Sequence, residues 1–247
     1  MRSSHRCDII FLENFVKGGV FMRYEIEGGS LPALVIQLEQ GEGLVSESGG
    51  RTWIKGPITT DTKADGGFGK SIGRMFSGES LFLNHYNARG AGEIAFTSSF
   101  PGRIISRQLA AGESVICQKK AFLCATEGTK LEIFFRKKVS AGLLGGEGFI
   151  MQKVTGPGLA FFEIDGYCKE YDLAAGEELV CDTGVVALMD PTCKMDVRMV
   201  GSVKNAIFGG EGLVDTVITG PGKVTLQTMP IYKVASAIQP FIVTGNN

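Results

Sequence analysis

The stretch ADGGFGKS, Ala64–Ser71, fits the degenerate phosphate-binding pattern in which Ala replaces the first Gly before x4-G-K-[S/T]. Such a loop holds phosphates with backbone N–H groups at the start of a helix, and it follows a buried apolar strand. Here the preceding run, GPITTDTKADGG, is polar, and the following SIGRMF lasts six residues before Ser77 and Gly78 break it. No downstream apolar strand ends in the Asp that would hold magnesium. The stretch reads as a Gly-rich loop.

Other chemistry is equally thin. His5 and His85 are the only histidines, too few for a His-based triad or a zinc cage. His85 with Asp61 or Asp65 is the one acid–base set on offer, and nothing in the spacing fixes its geometry. Cys7, Cys117, Cys124, Cys168, Cys181 and Cys193 contain no C-x-x-C, and several alternate with apolar residues, as in SVICQ and ELVCD. They read as small buried hydrophobes in a reducing compartment. A glutamate recurs at Glu42, Glu79, Glu113, Glu147, Glu177 and Glu211, with no His, Cys or Asp recurring beside it. Each reads as a solvated turn residue, not as part of a carboxylate ring. The expectation is therefore no catalytic, cofactor-binding or metal-ligating residue.

The elements that would position such groups are strands. Of 247 residues, 44% are hydrophobic and 21% charged, and the net charge is −1. That balance gives no basic excess for nucleic acid, and runs such as GVVALM are too short for a membrane-spanning helix. The 35 glycines are about double the ~7% of an average protein. They fall singly or in pairs between short apolar runs, as in turn-rich all-β proteins.

Their spacing reveals repeats. Leu-x-x-Gly-Glu-x-[Leu/Val]-[Val/Ile] appears as LEQGEGLV, LAAGESVI and LAAGEELV, with Gly41, Gly112 and Gly176 separated by 71 and 64 residues. A second motif alternates with it as FSGESLF, LGGEGFI and FGGEGLV, with Gly78, Gly146 and Gly210 separated by 68 and 64. Each second motif leads to a turn cluster at Gly90, Gly156 or Gly220. Gly-Glu between apolar runs predicts a tight turn, with Gly at positive φ and Glu in water. Helix is expected to be scarce, confined to Lys70–Phe76 and the N-terminal segment.

Residues 1–21 differ from the rest: Asp8 and Glu13 interrupt what would be the apolar stretch of a signal peptide. Lys17-Gly18-Gly19 can be encoded as a ribosome-binding sequence shortly before Met22, so 1–21 read as translated leader and 22–247 as a single all-β three-repeat domain.

The opening YEIEGGSLPALVIQLEQGEGLVSESG, the Gly-rich loop before MFSGESLFLN, and the paired GGEGF…TGPG and GGEGL…TGPG segments resemble the altered inheritance of mitochondria protein 24 family. The resemblance runs from about Met22 to the end. It implies one all-β domain with pseudo-threefold internal symmetry, β-helix-like or barrel-like, similar to the tryptophan RNA-binding attenuation protein fold. It also implies kinship with a mitochondrial biogenesis family, although the acids in 1–21 fit no mitochondrial transit segment and point to a bacterial cytoplasmic setting. No catalytic residue or cofactor carries over.

The function expected is a non-enzymatic scaffold or interaction protein that self-associates, with a small-ligand- or RNA-binding β-barrel as the alternative. Phe68, Lys70, Ile72, Arg74, Met75 and Phe76 form a candidate interaction loop for a protein or membrane-surface partner. Nucleic acid is disfavoured by charge, although Trp53 beside Arg51 and Lys55, and Tyr86 near Arg89, place aromatics among cations. Leu34–Leu38 is expected to pair near Lys223–Gln227 and close a ring. That would free the apolar tail Ala237–Val243 for another subunit, most simply in a trimer.

Overall fold

The computed structural model describes residues 10–11, 22–47, 49–64, 82–137, 148–199 and 214–242. The described strands run β1 (Ile10–Phe11), β2 (Arg23–Glu27), β3 (Ala33–Leu38), β4 (Gly43–Glu47), β5 (Arg51–Lys55), β6 (Ile58–Ala64), β7 (Phe82–Ala88), β8 (Gly92–Thr97) and β9 (Gly102–Leu109). They continue as β10 (Ser114–Gln118), β11 (Phe122–Thr126), β12 (Lys130–Lys137), β13 (Phe149–Thr155), β14 (Gly158–Asp165) and β15 (Cys168–Leu173). The last are β16 (Glu178–Asp182), β17 (Val186–Met189), β18 (Lys194–Met199), β19 (Val214–Thr219) and β20 (Gly222–Gln227), followed by one α-helix, α1 (Ile231–Ile238). The fold is all-β.

The chain gathers into two compact units: Met1–Ser114, Lys120–Ile133 and Lys153–Glu163 in the first, and Val115–Lys119, Phe134–Gln152 and Ile164–Asn247 in the second. In the first unit one sheet has the order β1-β2-β3-β8-β5 and another β6-β7-β4-β11-β14-β9. β3 shows why: in ALVIQL, Leu34, Ile36 and Leu38 are buried while Ala33, Val35 and Gln37 point away, the period-two pattern of a strand with one dry face. Those side chains meet Ile94, Phe96, Leu44, Tyr86 and Phe161 in one core cluster. Each fully buried Leu, Ile or Phe there contributes about 1.5–3 kcal/mol.

The second unit is built on the order β12-β13-β10-β17-β20-β15, which β12 and β13 join through their portions within Phe134–Gln152, and on β16-β19-β18. β17, VALM, is buried at all four positions and has β10 and β20 on its two sides. A continuous apolar run suits a strand covered on both faces.

The expected ring closure does not occur. β3 pairs with β2 and β8, and β20 pairs with β15 and β17, so Leu34–Leu38 and Lys223–Gln227 are each paired elsewhere. β2 and β3 are joined by a short turn with Gly28 at φ +96° and Gly29 at φ +61°, and a local hairpin costs less loop entropy than a pairing of the chain ends. Among the described residues a helix also appears where none was expected, in Ile231–Ile238. Lys70–Phe76 lies outside the described residues, and of the N-terminal segment Ile10–Phe11 pairs with β2.

The three first-motif turns share one set of bonds. Gly41, Gly112 and Gly176 have φ of +89°, +81° and +80°. The N–H of Glu42, Glu113 and Glu177 donates to the carbonyl of Glu39, Ala110 and Ala174 at 3.1, 3.0 and 3.0 Å. The carbonyls of these glutamates accept from the N–H of Ala88, Gly156 and Gly220 at 3.0, 2.9 and 2.9 Å. Ala88, not Gly90, is thus the counterpart of Gly156 and Gly220. Residues 88, 156 and 220 stand ten positions after the second-motif glycines Gly78, Gly146 and Gly210, which themselves lie outside the described residues.

Candidate functional site

The acid–base set comes together in part. Asp61 stands directly across from His85 in the β6–β7 pair, and His85 Nδ1 lies 2.9 Å from Glu127 Oε1. Asp65 is outside the described residues. Glu127 reaches this place because Gly43 is beneath it: a Cβ on Gly43 would meet Glu127 Cγ at 2.6 Å. The Glu127 N–H also donates to the Gly43 carbonyl at 3.1 Å, so the pair ties the turn after β11 to β4 and β7. This is an imidazole with an orienting carboxylate, and a nucleophilic set would need a third member, a hydroxyl or thiol, bonded to the imidazole. None is among its partners in the described residues. Nor do those residues hold a group of three or more His, Cys, Asp or Glu placed for a metal ion.

Three of the thiols are held toward their protonated form. Burial pushes Cys124 and Cys193 above the ordinary thiol range, and burial with the Asp182 and Asp215 charges pushes Cys181 to about 12. Nucleophilic cysteines have the opposite shift.

The recurring glutamates have a role that the sequence reading missed. The carboxylates of Glu42, Glu113 and Glu177 turn back to accept the N–H of Glu39, Ala110 and Ala174 at 2.7, 2.8 and 2.8 Å. Each glutamate staples its own turn with both its backbone and its side chain. The signal was the fixed spacing of three residues, as in other local side-chain-to-backbone motifs. Glu79, Glu147 and Glu211 lie outside the described residues.

The two aromatic–cation groups differ: Tyr86 is buried, whereas Trp53 is 38% exposed and by register shares a face of β5 with Lys55 but not with Arg51. β5 carries a bulge, so that Arg51 faces Phe96 while Trp53 faces Ala95. Thr52 Oγ1 lies 2.8 Å from Thr97 Oγ1, on the same face as Ala95, so Thr52 and Trp53 share a face and Arg51 is turned from it. Trp53 Nε1 donates to Glu93 at 3.1 Å, and Gln37 Nε2 donates to the same carboxylate at 3.0 Å. Those two hydrogen bonds, Trp53 first, hold the Glu93 carboxyl below its ordinary range. Tyr86 is buried edge-on to Phe96, ring centroids 5.8 Å apart, with its hydroxyl 3.3 Å from Ser46 Oγ.

The candidate loop Phe68, Lys70, Ile72, Arg74, Met75 and Phe76 lies outside the described residues. Its flanks are informative: Ala64 and Phe82 are partners in the antiparallel β6–β7 pair, so 65–81 connect two adjacent strands. A phosphate loop instead leads from the central strand of a parallel sheet into a helix.

Large apolar side chains are exposed at scattered places, among them Leu31, Phe134 and Val180, and they gather in sequence in the C-terminal segment. Asp165 Oδ2 accepts the Ile231 N–H at 3.2 Å, and Lys233 Nζ lies 2.6 Å from Asp182 Oδ2. Tyr232 is half-buried beside Asp182 and Cys181, and that burial pushes its hydroxyl above the ordinary range. No residue of α1 is buried. Ile231, Ile238, Phe241 and Ile242 are 40, 51, 84 and 60% exposed. At about 100° per residue, Ile231, Ala235 and Ile238 form one stripe, with Lys233 on the opposite side and Tyr232 on the flank between them. A surface helix ordinarily turns its apolar stripe to the core. α1 is anchored by its polar side and presents the stripe outward.

Comparison with known proteins gives a family and a fold. A family model described as mitochondrial biogenesis AIM24 matches residues 24–229. An uncharacterized protein of Streptococcus pyogenes serotype M6 is 26% identical over 235 residues, covering 92% of this chain and 93% of its own. A crystal structure of a Streptococcus pyogenes protein has a TM-score of 0.72 at 23% identity, covering 90% of this chain and all of that one. α1 lies just beyond the matched stretch.

Proposed function

We propose that this chain, which belongs to the mitochondrial biogenesis AIM24 family, is a non-enzymatic scaffold that self-associates. The observation that carries the reading is the exposed apolar stripe of the C-terminal segment, with Phe241 84% and Ile242 60% exposed. Contiguous apolar surface on a folded chain marks a place where another molecule docks. The non-enzymatic part is supported by Glu42, Glu113 and Glu177, whose carboxylates bond their own turns. The three internal repeats and their pseudo-threefold symmetry belong to the proposal, supported by the like bonding of those three turns. A bacterial cytoplasmic setting fits the streptococcal relatives.

A closed homo-oligomer buries such surface without leaving copies free to add indefinitely, and a trimer is the state proposed. Sedimentation velocity of the full chain at micromolar concentration tests it. A mass three times that of the chain is expected. A monomer at that concentration refutes self-association.

A further inference from the structure

We infer that the outward stripe of α1 is covered by the same stripe of further copies, so that the C-terminal helices are the contact that holds the assembly. The inference rests on the self-association reading and adds the surface, the partner and the geometry. From Pro230 to Ile242 the only charged residue is Lys233, and Asp182 neutralises it at 2.6 Å. The stripe of Ile231, Ala235 and Ile238, continued by Phe241 and Ile242, is therefore uncharged and meets its own copy without like-charge repulsion. A lipid surface is the poorer match. Helices that lie on membranes carry Lys and Arg on their polar side to attract anionic headgroups, and here the one cation is already paired.

The area agrees with a protein partner. Tyr167 is 61% and Met229 46% exposed, and they adjoin the start of α1. The N–H of Thr228 donates to the Tyr167 carbonyl at 3.1 Å, and the N–H of Met229 to that of Asp165 at 3.1 Å. With the four exposed side chains of the stripe they present about 700 Å² per copy, at roughly 200 Å² for each whole side chain. A stable interface takes about 800 Å² from each partner.

The polar anchors set the orientation. Asp165 fixes the helix start through the Ile231 N–H, and Asp182 holds Lys233 on the side away from the stripe. Losing the Asp182 anchor lets the helix roll and turn its apolar side inward.

Sedimentation velocity on full-length variants separates the outcomes. The double variant Ile238→Glu/Phe241→Glu is expected to fall from the wild-type oligomer to monomer while keeping the wild-type circular dichroism spectrum, because both side chains are exposed in the single chain. Asp182→Lys is expected to weaken assembly at least tenfold, and Asp182→Lys with Lys233→Asp to restore it. An oligomeric wild type whose mass survives Ile238→Glu/Phe241→Glu overturns this inference and leaves self-association standing. A monomeric wild type overturns both. A monomeric wild type that floats with phosphatidylcholine vesicles, and loses that with the double variant, assigns the stripe to lipid and also overturns the inference.

Discussion

Gly112 and Gly156 meet in one turn of the first unit, and alanine at each should fail for a different reason. Gly112 has φ +81° and nothing within 4 Å of the place its Cβ would occupy. Gly112→Ala therefore costs only the left-handed backbone penalty, about 1–2 kcal/mol. Asn tolerates that region better, so Gly112→Asn should cost less. Gly156 has no such φ, but its Cβ would stand 2.5 Å from the Ala110 carbonyl oxygen and 2.6 Å from that of Leu109. Neither is a flexible side-chain end. The backbone must move, and it moves against the bond from Gly156 N–H to Glu113 O at 2.9 Å. Gly156→Ala should cost about 3 kcal/mol or more, the upper end of overpacking. Trp53 is the only tryptophan and belongs to the same unit, so urea unfolding followed by its fluorescence reports on the affected region. The expected order is Gly112→Asn, then Gly112→Ala, then Gly156→Ala, from mildest to most severe. Gly156→Ala milder than Gly112→Ala would refute the steric reasoning.

Glu113→Ala should lower stability by about 1 kcal/mol through loss of the bond to Ala110 N–H, while Glu113→Gln, which keeps an acceptor, should lose less than half of that; equal losses in thermal melts would show the staple to be irrelevant. Buried Gln227 accepts from Asp165 N–H at 3.1 Å and donates to Gln118 Oε1 at 2.8 Å and Gly184 O at 2.9 Å. Gln227→Leu removes three hydrogen bonds and should cost about 2–4 kcal/mol in urea titrations followed by circular dichroism, and a loss under 1 kcal/mol would contradict that. The Cys181 thiol rises on folding from 9.0 to about 12, so the folded state holds its proton more tightly than the unfolded one. Its contribution is whole below pH 9 and fades as pH climbs toward 12; Cys181→Ser should flatten that alkaline decline, and an unchanged profile would count against it.

Much of the fold was legible because its signals are local. β3 announces itself by alternation, and the L-x-x-G-E turns by a glycine that structure places at positive φ each time. What escaped was either long-range or ambiguous. His85 and Glu127 are 42 positions apart and meet through β4, β7 and β11, which no spacing in the chain encodes. The segment IYKVASAI mixes β-branched residues with alanines, and its helical character rests on Ile231, Ala235 and Ile238 recurring on one side. The repeats suggested closure of the ends on each other, whereas the short Gly28–Gly29 turn gives β3 a nearer neighbour.

The stapled turns also bear on how such a chain grows. Each glutamate bonds to a residue three positions earlier, so a duplicated segment carries both halves of its turn with it. A copy needs no compensating change elsewhere to bend at the right place, and the strands on either side are free to diverge. Glu39, Ala110 and Ala174 show that freedom: at the donor position only the backbone N–H is used, and an acid or a methyl side chain serves the same bend.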